Sequence, residues 1–442
     1  MRISTSISSL AALALSTTPA FAFQRLFGTS LAKSTFARSL NPSAVVDFIN
    51  DQQTPVNAIV QEADRAFQLG MRMEKSGRAR AAAASFHEAA TLYQCCLESA
   101  DEFGHVTLLS KDDVRAVLSY ACVRLAHLSH DALGDARASM RLYQDACDID
   151  IYPSAVSYNG LGVSIEAAGG SLKAAEVAYR KAFELAPLNR VFAFHLAVAL
   201  ERLGETEEAE LLMEQLRKSE AHIACLVDSW GYVRWHTRKV DRANLHRGTR
   251  DMIELALSHA APLIADGGLV CEFGVASGRS LRMTQELLPL SVTIHGFDTF
   301  MGLPQAWGRE PEGSYSTGGI VPIFLEGDVR FHKGLFCDSI PKFKKTVRKD
   351  QCLAYANIDC DLYSSTLDIL ENLHGRVVPG TMLLFDEYLC HATWRQDEFR
   401  AWRECCRKFG WQYEYIGFSL VTKQTVVRVT AVATKELAEN LG

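Results

Sequence analysis

Apolar positions change their rhythm near residue 225, and the change divides the chain. From about residue 45 to about 224, Ala and Leu dominate and two-residue alternation is almost missing, which predicts an α-helical module. After residue 249 short apolar runs alternate with amphipathic stretches. Leu269 to Phe273, Val292 to Phe297, Phe331 to Phe336, Cys352 to Ile358 and Met382 to Phe385 are predicted strands. Leu281 to Leu288, Ser339 to Val347, Leu362 to Leu373 and Trp394 to Phe409 are predicted helices, led by Thr249 to Ala265. Such alternation requires crossover connections and therefore an α/β domain with a parallel sheet. Trp411 to Phe418 and Thr425 to Val432, joined through Thr422-Lys423-Gln424, read as a closing hairpin, and residues 225–248 read as a linker.

The helical part repeats itself. Leu161-Gly162, Ala175, Tyr179, Ala182 and Pro187 follow the tetratricopeptide pattern with one added residue at Gly169-Gly170, and Leu69-Gly70, Ala82, Phe86 and Ala89 follow it with none. Leu196-Ala197 with Ala209 gives another unit, and Tyr143 with Ala146 a degenerate one. Ordinary helical packing produces similar spacing, so a plain helical domain over 45–224 stays open. A repeat array would offer a concave surface to a protein partner; support of the other half is the plainer role.

Two carboxylate clusters end predicted strands: Asp359 and Asp361 after Ile358, and Asp386 and Glu387 after Phe385. Ligands of open α/β sheets bind outside the carboxyl ends of the strands, so these acids should share one crevice. Like charges that close raise one another's pKa unless a cation or shared proton intervenes. An all-oxygen set suits a hard ion such as Mg²⁺. Helix capping by each cluster is the plainer alternative.

Upstream, Leu269 to Phe273 feeds into Gly274-Val275-Ala276-Ser277-Gly278-Arg279-Ser280 and a helix. Glycines at such a turn allow close backbone approach, and the helix start offers unpaired N–H groups. The spacing departs from the dinucleotide fingerprint, which argues against a nicotinamide cofactor. Asp298 ends the next strand, where an acid can take ribose hydroxyls or cap a loop. Phe300 to Pro322 has neither periodicity and carries Trp307, Tyr315, Ser316 and Thr317; a loop of that length is a lid, a binding loop or disorder.

Glu272-Phe273-Gly274, Gly296-Phe297-Asp298-Thr299-Phe300-Met301-Gly302-Leu303-Pro304, Ser316-Thr317-Gly318-Gly319, Ile358 to Tyr363, and Pro379-Gly380-Thr381 to Tyr388 occur in one order. Together they resemble the macrocin-O-methyltransferase-like branch of the S-adenosylmethionine-dependent methyltransferases, over about the last two hundred residues. The resemblance implies a multidomain chain: a helical, tetratricopeptide-like domain followed, over 249–442, by an α/β class I methyltransferase domain with a seven-stranded, mostly parallel sheet. It implies methyl transfer to a hydroxyl of a small molecule, by analogy a sugar or glycosylated metabolite. It also places S-adenosylmethionine over Glu272, Gly274, Val275, Ser277, Gly278 and Ser280, with its ribose on Asp298. Mg²⁺ or another divalent cation would sit on Asp359, Asp386 and Glu387, the last being Asp in some relatives. Asp361 matches the proposed general base, with His391 as the alternative. Relatives favour a substrate-side lid for Phe300 to Pro322. An adaptor that binds cofactor without turnover is the rival reading, and a nitrogen or carboxylate acceptor a third.

Composition adds limits. At 442 residues and 48% hydrophobic content, two cores plus a leader are expected. A net charge of -6 gives no basic bias, so nucleic acid is not expected as a partner. Beyond the first twenty-odd residues no apolar run reaches membrane-spanning length, so no stable membrane insertion is expected after leader removal. The twelve Cys form no C-x-x-C pair and read as reduced, structural thiols. Leu10 to Leu15 followed by Ala20-Phe21-Ala22 predicts a signal peptide over 1–22. Residues 23–44 carry Arg25, Lys33 and Arg38 and read as a transit segment. The pair resembles the bipartite leader of algae whose plastids lie inside the endomembrane system, so plastid localisation is expected, with secretion or an endomembrane lumen as the alternative.

Overall fold

The computed structural model describes residues 56–103, 111–149, 154–237, 245 and 248–433. The expected leader over 1–44 lies outside the described residues. Contacts divide the chain between Ala209 and Glu210.

In the first unit α1 (Val56–Lys75), α2 (Ala79–Phe103), α3 (Lys111–Asp131), α4 (Ala136–Ile149), α5 (Ala155–Ala167), α6 (Leu172–Leu185) and α7 (Arg190–Leu203) pack each on the next, and α8 (Thr206–Arg217) spans the division. Glycine faces an aromatic ring across three of these pairs, among them Gly160 of α5, where a Cβ would lie 2.4 Å from the Tyr143 ring of α4. A Cβ on Gly70 would lie 2.8 Å from the Phe86 ring, and one on Gly162 would lie 2.5 Å from the Tyr179 ring. Close packing admits no methyl group there. α7 opens on Asn189, whose Oδ1 accepts from the Val191 and Phe192 amides at 3.0 and 3.4 Å, satisfying donors that have no partner within the helix.

The second unit holds α9 (Ala221–Thr237), α10 (Thr249–Ala265) and a seven-stranded sheet in the order β3-β2-β1-β4-β5-β7-β6. Its strands are β1 (Leu269–Phe273), β2 (Thr293–Asp298), β3 (Asp328–Lys333), β4 (Leu353–Ile358), β5 (Met382–Phe385), β6 (Gln412–Phe418) and β7 (Thr425–Ala431). β1 to β5 pair in parallel, and β7 inserts antiparallel between β5 and β6. α11 (Arg279–Leu287), α12 (Phe336–Phe343), α13 (Tyr363–Leu373) and α14 (Glu398–Phe409) follow β1, β3, β4 and β5. The α/β architecture is the one expected. β1, β4 and β5 are buried at every residue, as strands covered on both faces are, and so read as unbroken apolar runs.

Several boundaries differ from expectation: the helix expected over Ser339 to Val347 runs over Phe336–Phe343, and the one expected from Trp394 starts at Glu398. β3 ends at Lys333, and Phe336 opens α12. β3 is an edge strand with no fully buried residue, so its apolar signal is weak, and Gly334, at φ +137°, ends it. The expected linker over 225–248 contains most of α9, whose Ser229 accepts from the Cys390 amide at 2.9 Å and whose Asp228 accepts from the Trp394 indole at 3.0 Å. Those bonds fix α9 to the second unit.

Candidate active site

The site builds from the ends of β1, β2, β4 and β5. At the end of β1 the chain turns at Gly274, where φ is +89° and a Cβ would lie 1.6 Å from the Asp359 carbonyl oxygen. Glycine here lets the β1 and β4 loops close on one another. Gly278 opens α11 at φ +78°, and its missing side chain leaves room for Pro322 and Phe324 at 3.2 and 3.3 Å. The Ser277 and Gly278 carbonyls accept from Arg282 at 2.9 and 2.8 Å.

Asp298 closes this turn from β2. Its Oδ2 accepts from the Val275 and Ala276 amides at 2.8 and 2.7 Å, and its Oδ1 from the Phe300 amide at 2.7 Å. A carboxylate offers about four acceptor positions, so room for a ligand hydroxyl remains. Glu272 is buried within β1, where Ser280 donates to it at 3.1 Å and Asn357 at 3.3 Å. Burial pushes its carboxyl up to about 8; the two hydrogen bonds oppose that and the Asp386 and Asp298 charges add to it.

The four predicted acids are brought together. Burial raises Asp359 well above the usual carboxylate range, with Asp386, Asp361, Glu272 and Glu398 adding their charges. Asp361 is pushed up to about 7 by burial and then by Asp386. Burial pushes Glu387 up to about 7 against the pull of Lys423, whose Nζ donates to Oε1 at 3.0 Å. Asp386 is raised by burial, while Gln424, which donates to its Oδ1, and the Arg279 and Lys423 charges hold it down.

Sequence reasoning missed three of these partners. Glu398, the first residue of α14, is fully buried, accepts from the Glu387 amide at 3.2 Å, and is raised well above the usual range by burial and then by Asp386. Its place after an acidic, Trp-containing loop carries no chemical signal in the sequence. Lys423 and Gln424 lie in the hairpin turn, and only the antiparallel pairing of β7 with β5 brings them to the acids. The non-glycine residues at positive φ among those described are Ala276, Phe300, Tyr315, Asp361, Cys390 and Lys423, all in the loops just traversed or in the 300–322 loop. Strained backbone of this kind collects at functional sites.

His391 donates from Nε2 to the Glu387 carbonyl at 2.8 Å, and its Nδ1 lies 3.8 Å from Asp397 Oδ2. Burial lowers its pKa, which keeps the ring neutral. One nitrogen is therefore committed to the backbone, and the other faces Asp397 rather than open space.

Carboxylate chemistry suits a hard divalent cation; among the described residues, as arranged here, no three His, Cys, Asp or Glu side chains form a group able to hold a metal ion. Gln424 and Lys423 already donate to one oxygen each of Asp386 and Glu387. Glu387 Oε2 and Glu398 Oε1 are buried without a hydrogen-bond partner among the described residues. Also among those residues, no helix is long and apolar enough to cross a membrane.

Residues 323–409 match the family described as Macrocin-O-methyltransferase (TylF). A 68-residue stretch is 43% identical to the 8-demethyl-8-(2,3-dimethoxy-alpha-L-rhamnosyl)-tetracenomycin-C 4'-O-methyltransferase of Streptomyces olivaceus, covering 15% of this chain and 24% of that protein. The chain thus spans about a quarter of that curated relative. A calicheamicin methyltransferase structure overlays with a TM-score of 0.31 at 20% identity, covering 50% of this chain and 93% of the other. The O-methyltransferase NovP overlays with a TM-score of 0.31 at 22% identity, covering 42% and 82%. The matched segment 323–409 contains Asp359, Asp361, Asp386, Glu387 and Glu398, so the chain is similar to macrocin-type O-methyltransferases over the part that supplies its acid cluster.

Proposed function

We propose that the second unit is an S-adenosylmethionine-dependent methyltransferase that methylates a hydroxyl of a glycosylated small molecule. The observation that carries this is the buried acid cluster at the carboxyl ends of β4 and β5, lying within the segment matched to macrocin-type O-methyltransferases. When bound, S-adenosylmethionine supplies an electrophilic methyl group. The turn from Glu272 to Ser280 and the free acceptor position on Asp298 would hold the cofactor. Asp361 takes the acceptor hydroxyl proton as the new C–O bond forms and the methyl–sulfur bond breaks, leaving S-adenosylhomocysteine. A carboxylate held near neutral pKa suits that role. Burial and the neighbouring Asp386 charge are what raise Asp361 towards that value.

The test is incubation with labelled S-adenosylmethionine and a panel of rhamnosylated compounds, with mass identification of product. Asp361→Asn should slow transfer by roughly 10²- to 10⁴-fold and leave cofactor binding unchanged. Cofactor binding without any product would favour the adaptor reading, and label on nitrogen or carboxylate would move the acceptor class. A divalent cation on Asp359, Asp386 and Glu387 is an accompanying proposal, supported by the crowding of like charges; no step above depends on it. Dialysis against chelator followed by full turnover would remove it.

Two further parts of the reading concern the rest of the chain. A tetratricopeptide-like array in the first unit is supported by the Gly70–Phe86 and Gly162–Tyr179 contacts at the positions the repeat pattern names, and its surface would take a protein partner. Plastid targeting rests on residues 1–44 alone; a fluorescent fusion of residues 1–41 found in the medium or mitochondria would sink it.

A further inference from the structure

The 300–322 loop starts on Asp298, through the Phe300 amide, and returns to the start of α11, where Pro322 faces Gly278. It is stitched internally: the Leu303 amide donates to the Ser314 carbonyl at 3.0 Å and the Gly313 amide to the Leu303 carbonyl at 2.9 Å. On the far side of the site the Trp307 indole N–H donates to Asp397 Oδ2 at 3.2 Å, and the Trp307 ring lies 5.3 Å from that of His391. The same oxygen accepts from the Thr393 hydroxyl at 2.5 Å.

The turn that presents Asp397 is held from behind by α9. Asp228 accepts from the Trp394 indole at 3.0 Å and from Arg395 in a two-bond fork at 2.9 and 2.8 Å. The Arg395 guanidinium lies 4.1 Å from the Trp394 ring centre. A forked Arg–carboxylate pair fixes orientation as well as distance. We propose that Trp307 and Asp397 form a latch that holds the 300–322 loop across the carboxyl ends of the strands, and that Asp228 is the positioning residue that sets the latch. The latch shapes the acceptor side of the site; naming that side rests on the methyltransferase reading, whereas the latch itself does not.

Arg309 is exposed within the loop and gives trypsin a reporter of loop opening. The full chain is digested under native conditions, and the cut between Arg309 and Glu310 is timed by fragment mass. Trp307→Phe removes the indole donor, and cleavage should quicken roughly ten- to a hundredfold, the population change expected from one hydrogen bond to a charged acceptor. Asp397→Ala and Asp228→Ala should quicken it similarly. Asp397→Asn keeps an oxygen that accepts from both donors but loses its charge, and should quicken cleavage clearly less than Asp397→Ala. The midpoint of thermal unfolding and the affinity for S-adenosylhomocysteine should stay near the parent values in Trp307→Phe. Equal cleavage of the parent and Trp307→Phe would overturn the latch; faster cleavage in Asp397→Ala alone would reduce it to a local turn. Loss of S-adenosylhomocysteine binding by the parent itself would remove the methyltransferase reading and leave the latch standing.

Discussion

Glu272 shows how one buried carboxyl ties stability to pH. Its folded pKa of about 8 lies above the ordinary value of 4.5, so the folded chain favours the neutral acid while the unfolded chain ionises. The stability this group contributes is complete below about pH 4.5 and is lost as pH rises towards 8, with a slope of at most about 1.4 kcal/mol per pH unit for one proton. Glu272→Gln removes that proton. The stability of the variant relative to the parent should therefore rise between about pH 5 and 8 and level off above, as read from urea unfolding at several pH values. Parallel pH curves for the two chains would show that Glu272 is ionised in the fold. The residue was legible in the sequence as part of a glycine-turn motif. Its neutrality was not, because that depends on burial across the width of the sheet, which no local pattern records.

At the scale of elements, the turn after β1 is held by a side chain from β2. Asp298 satisfies three backbone amides, so Asp298→Ala leaves those donors unpaired and also removes the acceptor proposed for the cofactor. The expected loss is roughly 1 to 3 kcal/mol in cofactor affinity, with a fall in unfolding midpoint that Asp298→Asn reduces only in part, because its single oxygen can serve the Val275 and Ala276 amides while its NH2 faces the Phe300 amide. Calorimetry with S-adenosylhomocysteine beside thermal unfolding separates the two effects; a lower midpoint with unchanged affinity would confine Asp298 to the turn. Elements buried on both faces, β1, β4 and β5, were read from the sequence to within a residue because their apolar runs are unbroken. β3 slipped by three residues at its start and end, since an edge strand buries little. Asp359, Asp361, Asp386 and Glu387 were legible because each follows such a run. Glu398, Lys423 and Gln424 come from a helix start and a hairpin turn, and only the strand order brings them to the acids.

At the scale of the whole molecule, the position of α9 decides what a catalytic fragment must contain. The change of hydrophobic rhythm points to a start near Thr249, which would leave α9 behind. Yet α9 buries Trp230, Val233 and Ser229, sets the Tyr232 ring 5.4 Å from both Trp394 and Phe399, and donates or accepts a 2.5 Å hydroxyl contact from Tyr232 to Tyr415. A fully buried large apolar side chain is worth roughly 1.5 to 3 kcal/mol. Two or three of them, together with the Asp228 and Ser229 bonds, rival the roughly 5 to 15 kcal/mol that holds a domain folded. A fragment starting at Thr249 also strips Trp394 of its Tyr232 and Asp228 contacts, and exposed apolar surface favours aggregation. The fragment from Glu210 to Gly442 should therefore show one cooperative unfolding transition and bind S-adenosylhomocysteine, while that from Thr249 should show a much lower midpoint or none. Equal midpoints for the two fragments would mean that α9 only rests on the second unit, and would place the boundary where the sequence rhythm changes.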